Sequence, residues 1–413
     1  MKTLTLLVAL VLVACGDSAP PAVTVGPVSF QEDQLLGISP DRRRTLADLT
    51  AFALAVADSS TDELGAPLLH RQENDRLLDV LGAELLLEKN GVGDAVLQAR
   101  YLTDPEYELT VRHILFMSER WRSPEERAAA KAKAERALAL VKGGADFAET
   151  AAKLSEEPGA AGRQGLLKPG RKGDWVDEFW NAASALQVGE ISPVVETQYG
   201  YHVLRLEDRK IVPFAEARSR VALEVAAQIG DPETALKAWT DSVGAEVSVP
   251  ADGLETASGP SADEATILAR WPGGSLTLGG YLSFAASQPA SWHSGGRGSA
   301  LGRFGASVEQ LARRRMALAE AHRRKLEVPQ GTRAGMERAW ADSVYQWSAS
   351  LGFKYGMGPA QVARAALAAL GNAGQQAGLV RTAIDERAPL FEARYEILID
   401  GKDVRETAPT GQP

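Results

Sequence analysis

The chain has 413 residues, 45% of them hydrophobic, with a formal net charge of −9 and one cysteine. That length suggests two or three domains, and the apolar fraction is enough for a sizeable core. The acidic balance and the lack of a long basic block argue against nucleic-acid binding, and a lone cysteine rules out an intramolecular disulfide.

Residues 1–14 read as a signal peptide: Lys2 supplies the positive start, and Leu4 to Ala14 is apolar apart from Thr5. A helix over that apolar run reaches about 17 Å, well short of the roughly 30 Å hydrocarbon core of a membrane. Its end, Leu12-Val13-Ala14-Cys15, looks like a bacterial lipobox, which implies acylation of Cys15 after cleavage. The plainer alternative is a secretory signal with a chance cysteine. A Pro/Ser/Ala tether over residues 15–22 supports lipidation, and Gly16 in place of aspartate favours the outer membrane in lipoproteins of this type.

Residues 23–106 read as a short strand, Val23 to Phe30, followed by helices. Leu46, Leu49, Ala53 and Val56 form one apolar stripe, and Leu77, Val80, Leu81 and Leu85 belong to another that Gly91 to Gly93 breaks. His70 has no second metal-type residue at suitable spacing and reads as a helix-surface residue.

The clearest signals fall within residues 107–208. Leu109 to Phe116 alternates like a half-buried strand, with Val111, His113 and Leu115 on one face. Gly200 to Leu206 alternates likewise and puts His202, Leu204 and Leu206 together. Between them, Ser123-Pro124-Glu125-Glu126 is a capping box, Asp146 is an N-cap for a helix carrying Phe147, Ala151 and Leu154, and Phe179, Ala183 and Leu186 repeat that spacing. A glycine-rich loop, Pro158 to Gly173, separates the last two helices. The order makes an α+β unit of ordinary domain size.

These residues resemble the parvulin-type peptidyl-prolyl isomerases. The likeness lies in Val111-Arg112-His113-Ile114-Leu115, Gly144 to Glu149, Leu154 to Gly159, Val176 to Phe179, Ala185 to Ser192 and Thr197 to His202. It implies a small antiparallel sheet with surrounding helices and prolyl isomerase activity without metal or cofactor. It also implies a proline pocket at Leu167, Trp175 and Phe179, with a buried polar cluster of His113, Thr197 and His202 beneath. Glu157 falls where the family carries cysteine or aspartate. Two departures stand out: Gln164-Gly165-Leu166-Leu167-Lys168 replaces the relatives' Gly-Gly-Asp-Leu-Gly, and Ala183-Ser184-Ala185-Leu186 replaces Ala-Phe-Ala-Leu. The first is expected to loosen the pocket and the second to thin the packing behind it.

Beyond Asp208, a helix is expected from Pro213 to Ile229, a linker from Pro250 to Asp263, a strand at Ser275 to Leu278, and a long helix from Val308 to Lys325. Trp292 and His293 lie in a Gly/Ser-rich loop. The basic runs Arg313 to Arg315 and Arg323 to Lys325 are interspersed with Glu309, Glu320 and Glu327, so they read as a solvated face rather than a phosphate site. The layout echoes the segment ahead of the isomerase-like unit. Both flanks resemble those of PrsA- and SurA-type foldases, which implies a mostly helical chaperone body for unfolded exported proteins with Xaa-Pro bonds.

The expected organisation is thus 1–14 signal peptide, 15–22 tether, 23–106 N-terminal helical region, 107–208 isomerase domain, 209–405 C-terminal helical region and 406–413 disordered tail. The leading expectation is a lipid-anchored envelope isomerase and chaperone facing the periplasm. The alternative is a non-catalytic peptide-binding chaperone. Phosphoserine-proline recognition through Arg120 and Arg122 fits an exported protein poorly.

Overall fold

The computed structural model describes residues 20–118, 123–244, 246–259, 262–286, 300–372, 391 and 394–404. Cys15, Arg120, Arg122, Trp292, His293 and residues 406–413 lie outside them. In chain order the elements begin with β1 (Val23–Val25), β2 (Val28–Phe30), α1 (Pro40–Ala57), α2 (Thr61–Lys89) and α3 (Asp94–Thr103). Next come β3 (Tyr107–Met117), α4 (Pro124–Lys142), α5 (Phe147–Leu154), α6 (Ala160–Arg163), α7 (Asp177–Ala185), β4 (Val195–Thr197) and β5 (Gly200–Ile211). After these lie α8 (Phe214–Ile229), α9 (Pro232–Gly244), α10 (Ala251–Ala257), β6 (Ile267–Trp271), β7 (Gly274–Thr277) and α11 (Leu278–Ala286). The last are α12 (Ala300–Arg323), α13 (Gln330–Leu351), α14 (Pro359–Asn372), β8 (Ile397–Ile399) and β9 (Lys402–Asp403).

The described residues divide into two compact units, one running to Leu64 and resuming at Val344, the other from Gly65 to Ser343. In the first, strands order as β2-β1-β8-β9, all neighbours antiparallel. The single strand expected at Val23 to Phe30 is a hairpin, because Gly26 takes a φ of 51° ahead of Pro27 and reverses the chain. Leu46, Leu49 and Ala53 are fully buried on α1, where Phe52 meets Trp347, Phe353 and Phe391 at centroid distances of 5.9–6.3 Å.

The second unit holds the isomerase-like sheet, ordered β3-β5-β4. Antiparallel pairing sets His113 opposite Leu204, and His202 opposite both Leu115 and Val195. The expected half-buried strand is buried on both faces instead. Leu109, Val111, Leu204 and Leu206 pack against Phe179, Trp180 and Ala183, while Ile114, Phe116, Tyr201 and Val203 pack under Ala130, Ala134 and Ala137. Small alanines let α4 approach closely enough to cover the second face. Both expected caps form: Ser123 closes a reciprocal capping box with Glu126, and Asp146 accepts from the Glu149 N–H. Leu154, placed on the apolar stripe of α5, is 39% exposed, since the helix ends there and turns the side chain outward.

Elsewhere in this unit, Pro250 to Asp263 is not all linker. Pro250 ends an extended stretch and α10 follows, burying Leu254 and Ala257. The strand near Ser275 pairs with β6 in a hairpin. Carboxylates meet the basic runs of α12 and the turn after it: Arg313 with Glu309, Arg314 with Asp75, Arg323 and Arg324 with Glu320. His70 is exposed on α2. Among the described residues no helix is long and apolar enough to cross a membrane, and no group of three His, Cys, Asp or Glu is placed to hold a metal.

Candidate active site

β3 and β5 each contribute one histidine to the face covered by α7. The rings stack at 5.5 Å with an interplanar angle of 22°, and their Nδ1 atoms lie 3.4 Å apart. His113 is 3% exposed and His202 4% exposed, so every ring nitrogen needs a protein partner. Thr197 Oγ1 lies 2.8 Å from His202 Nε2, and His113 Nε2 lies 2.9 Å from Glu157 Oε2. The Arg163 guanidinium closes the line with a 2.6 Å ion pair to that carboxylate oxygen.

The ends of this line fix its direction. Thr197 Oγ1 already accepts the Tyr199 N–H at 3.1 Å, so its hydroxyl hydrogen is free to point at His202. At the far end an ionised carboxylate can only accept. The assignment that satisfies every group has Thr197 donating to His202 Nε2, His202 Nδ1–H to His113 Nδ1, and His113 Nε2–H to Glu157. Burial, with the neighbouring His113 adding to it, pushes the His202 pKa down to about 3, which keeps that ring neutral. For Glu157, burial pulls its pKa up, but His113 and Arg163 outweigh it and hold the carboxyl below its ordinary value.

Above the histidines sits Phe179, whose ring stands edge-on at 5.6 Å from His113 and 5.5 Å from His202. Trp175 meets Phe179 at 5.2 Å, and both Trp175 and Leu167 pack against the same apolar cluster. Leu167 is held by its backbone: its N–H donates to the Val111 carbonyl, while the His113 N–H donates to Gly165 and Leu109 exchanges two bonds with Gly170. Residues 165–170 therefore run as an extra edge along β3. Gly165 permits this, since its φ is 72° and a Cβ there would lie 2.3 Å from the His113 carbonyl oxygen.

All seven residues singled out within this segment thus lie in one neighbourhood: His113, Glu157, Thr197 and His202 form the bonded line, and Leu167, Trp175 and Phe179 the apolar side. Sequence reasoning missed Arg163, Tyr199 and Trp180. Arg163 stands six residues past Glu157 across a tight turn, but no periodicity marks it. Tyr199 meets the bonded line through its main chain, which leaves no side-chain signature there. Trp180 adjoins Phe179 and is buried on the neighbouring flank of α7. The arrangement sets an apolar side of Leu167, Trp175 and Phe179 against a buried, pre-oriented line of hydrogen bonds.

An apolar side over paired sheet histidines is what the resemblance to the peptidyl-prolyl isomerases leads one to expect. Residues 113–208 match the rotamase family, PPIC-type PPIASE domain. The likeness to this family lies in that segment, and PrsA and SurA proteins are among the relatives that it is similar to. The chain is 40% identical over 92 residues to foldase protein PrsA of Geobacillus kaustophilus, covering 22% of this chain and 33% of that protein. It is 39% identical over 107 residues to chaperone SurA of Methylobacillus flagellatus, covering 26% and 24%. A PrsA of another Geobacillus species is 30% identical over 171 residues, covering 40% and 58%. The likeness therefore spans between about a quarter and three fifths of these relatives' own lengths.

Proposed function

We propose that the protein is a peptidyl-prolyl cis–trans isomerase that assists the folding of exported proteins, with unfolded or partly folded chains bearing Xaa-Pro bonds as substrates. The observation that carries this reading is the bonded line Thr197–His202–His113–Glu157 lying directly beneath Phe179. Rotation about an Xaa-Pro bond faces a barrier near 20 kcal/mol, and uncatalysed exchange takes about 10–100 s. No covalent bond breaks. The catalyst must grip the proline ring and favour the twisted amide over both planar forms. Leu167, Trp175 and Phe179 supply the grip, and removal of water disfavours the planar amide, the more polar of the two states. The two histidines set the shape and polarity of the pocket floor; with His202 held neutral, they orient rather than shuttle protons. A thousandfold acceleration needs about 4 kcal/mol of such preference.

The relatives' names, foldase and chaperone, support a client-binding role for the flanking helices. Residues 1–14 and Cys15 support export and lipid anchoring in the cell envelope facing the periplasm, with the outer membrane favoured by Gly16. Acylation at two or more chains gives stable attachment where one is marginal.

The deciding measurement is cis–trans exchange of a short Xaa-Pro peptide in the presence of the chain lacking residues 1–14. Acceleration is expected. Peptide binding without acceleration would instead make the domain a non-catalytic peptide-binding module. The anchoring is checked by cell fractionation of Cys15→Ser, which should move the protein to the soluble fraction; unchanged membrane retention would refute it.

A further inference from the structure

Helix α13 touches both rims of the isomerase site. Tyr199 Oη donates to Asp342 Oδ1 at 2.6 Å, and the Arg338 guanidinium donates to the Gly173 carbonyl. Neither rim residue is incidental: the Tyr199 N–H holds Thr197 Oγ1, and Gly173 lies two residues before Trp175. Arg338 and Asp342 sit one helical turn apart, a rise of about 6 Å. A single turn of α13 thus bridges the loop bearing Trp175 and the turn that follows Thr197.

The contact is also made by backbone. A Cβ on Gly331, at the start of α13, would lie 2.3 Å from the Lys172 carbonyl oxygen, and one on Gly173 would lie 2.4 Å from the Gly331 carbonyl oxygen. Such an approach needs glycine on both sides and is not a graze between long surface side chains. Burial, helped by the bond to Asp342, raises the Tyr199 phenol above its ordinary pKa and keeps it a donor. Meanwhile Phe179 is only 4% exposed, and the ring packed against it is Trp175, on the loop that Arg338 holds through Gly173, so this side of the site is closed in this conformation.

We propose that α13 is an intramolecular cap on the isomerase pocket, held by Arg338, Asp342 and the Gly173–Gly331 contact, and displaced when a client chain takes the two rims. The inference rests on the isomerase reading of the site. A pocket open only part of the time binds with an affinity reduced by its open fraction, so loosening the cap strengthens binding of every peptide that fits.

The test uses the chain lacking residues 1–14 and a short Xaa-Pro peptide, reading affinity and exchange rate separately. An Arg338→Ala, Asp342→Ala double variant should gain about tenfold in both peptide affinity and kcat/KM, equivalent to about 1.4 kcal/mol of closing preference, with kcat little changed. Gly331→Ala keeps both side chains, forces the backbones apart and should move in the same direction. Asp342→Asn, which retains an acceptor for Tyr199, should stay near wild type. If the double variant does not fold by circular dichroism, Tyr199→Phe decides, since it removes the Asp342 bond and leaves the main-chain donor to Thr197. Folded variants that bind no tighter than wild type overturn the cap, and a fall in kcat would make α13 a positioning helix instead. Tighter binding with no acceleration in any chain would sink the isomerase reading and leave the cap standing.

Discussion

Two parts of this molecule bury polar side chains among apolar neighbours and satisfy them in opposite ways. On α1, Thr50 is fully buried and donates to the Leu46 carbonyl at 2.7 Å, and Asp48, 4% exposed, is bonded by Arg44 at 3.0 Å. Each of these bonds joins residues four apart, so one helix makes them before any tertiary structure exists. In the isomerase-like sheet, His202 meets His113 across 89 residues and His113 meets Glu157 across 44. Those bonds form only when the whole domain is assembled, and a failed partner strands a buried group. Local pairing needs nothing beyond a helix to explain it. Long-range pairing in a dry interior is costly unless complete, and here it lies under the apolar side formed by Phe179 and Trp175.

The largest expected effect comes from removing the side chain that both histidines touch. Phe179→Ala opens the space above both rings and should cost about 3–5 kcal/mol of stability. It should also abolish most of the acceleration of Xaa-Pro exchange, measured on whatever fraction circular dichroism shows to be folded. Full activity in a folded Phe179→Ala chain would separate the aromatic side from function and leave the polar line as simple core.

A matched pair of substitutions then compares the two regions directly. Thr197→Val leaves His202 Nε2 and the Tyr199 N–H without their partner, and each unsatisfied buried group costs about 1–3 kcal/mol. Thr50→Val removes a bond whose acceptor, the Leu46 carbonyl, lies within the same helix, and should cost less than about 1 kcal/mol. Denaturant midpoints at unchanged slope give both values. Equal costs would erase the distinction between local and long-range pairing.

The sequence revealed these two regions unequally, for the same physical reason. Periodicity and caps are local, and so the helices at Pro124, Phe147 and Phe214 and the two long strands of the sheet were legible from spacing alone. The pairing of His113 with His202 was not, because no window of sequence contains both; it entered through resemblance to a family. The hairpins at Val23 and Ile267 were missed in part because strands of three to five residues give too few alternations to count. Burial of β3 on both faces was hidden too, since it depends on the alanine face of α4, with Phe147 and Ala151 of α5, packing across the second face. Tyr199 and Arg338 reach the site through backbone atoms or from a helix far along the chain, where side-chain pattern carries no signal.

The smallest expected effect lies in the loop where the sequence departs from its relatives. Gln164 stands at the first glycine of their Gly-Gly-Asp-Leu-Gly run, and its φ of 53° and ψ of 37° are left-handed. An L-residue pays about 1–2 kcal/mol for that conformation, because Cβ crowds the following carbonyl. Glycine escapes the crowding but loses about 0.4–1 kcal/mol through the greater freedom of its unfolded chain. The balance favours Gln164→Gly by roughly 0.5–1 kcal/mol. The side chain itself is exposed, while the main chain is what matters: the Gln164 carbonyl accepts from Arg112 at 2.6 Å, and Gly165 beside it seats the loop against His113. The variant should therefore raise the denaturant midpoint without altering the bonded line, and firm the edge that carries Leu167. A lower midpoint would mean that the Gln164 side chain itself holds the loop, and that its left-handed backbone is not where strain is stored.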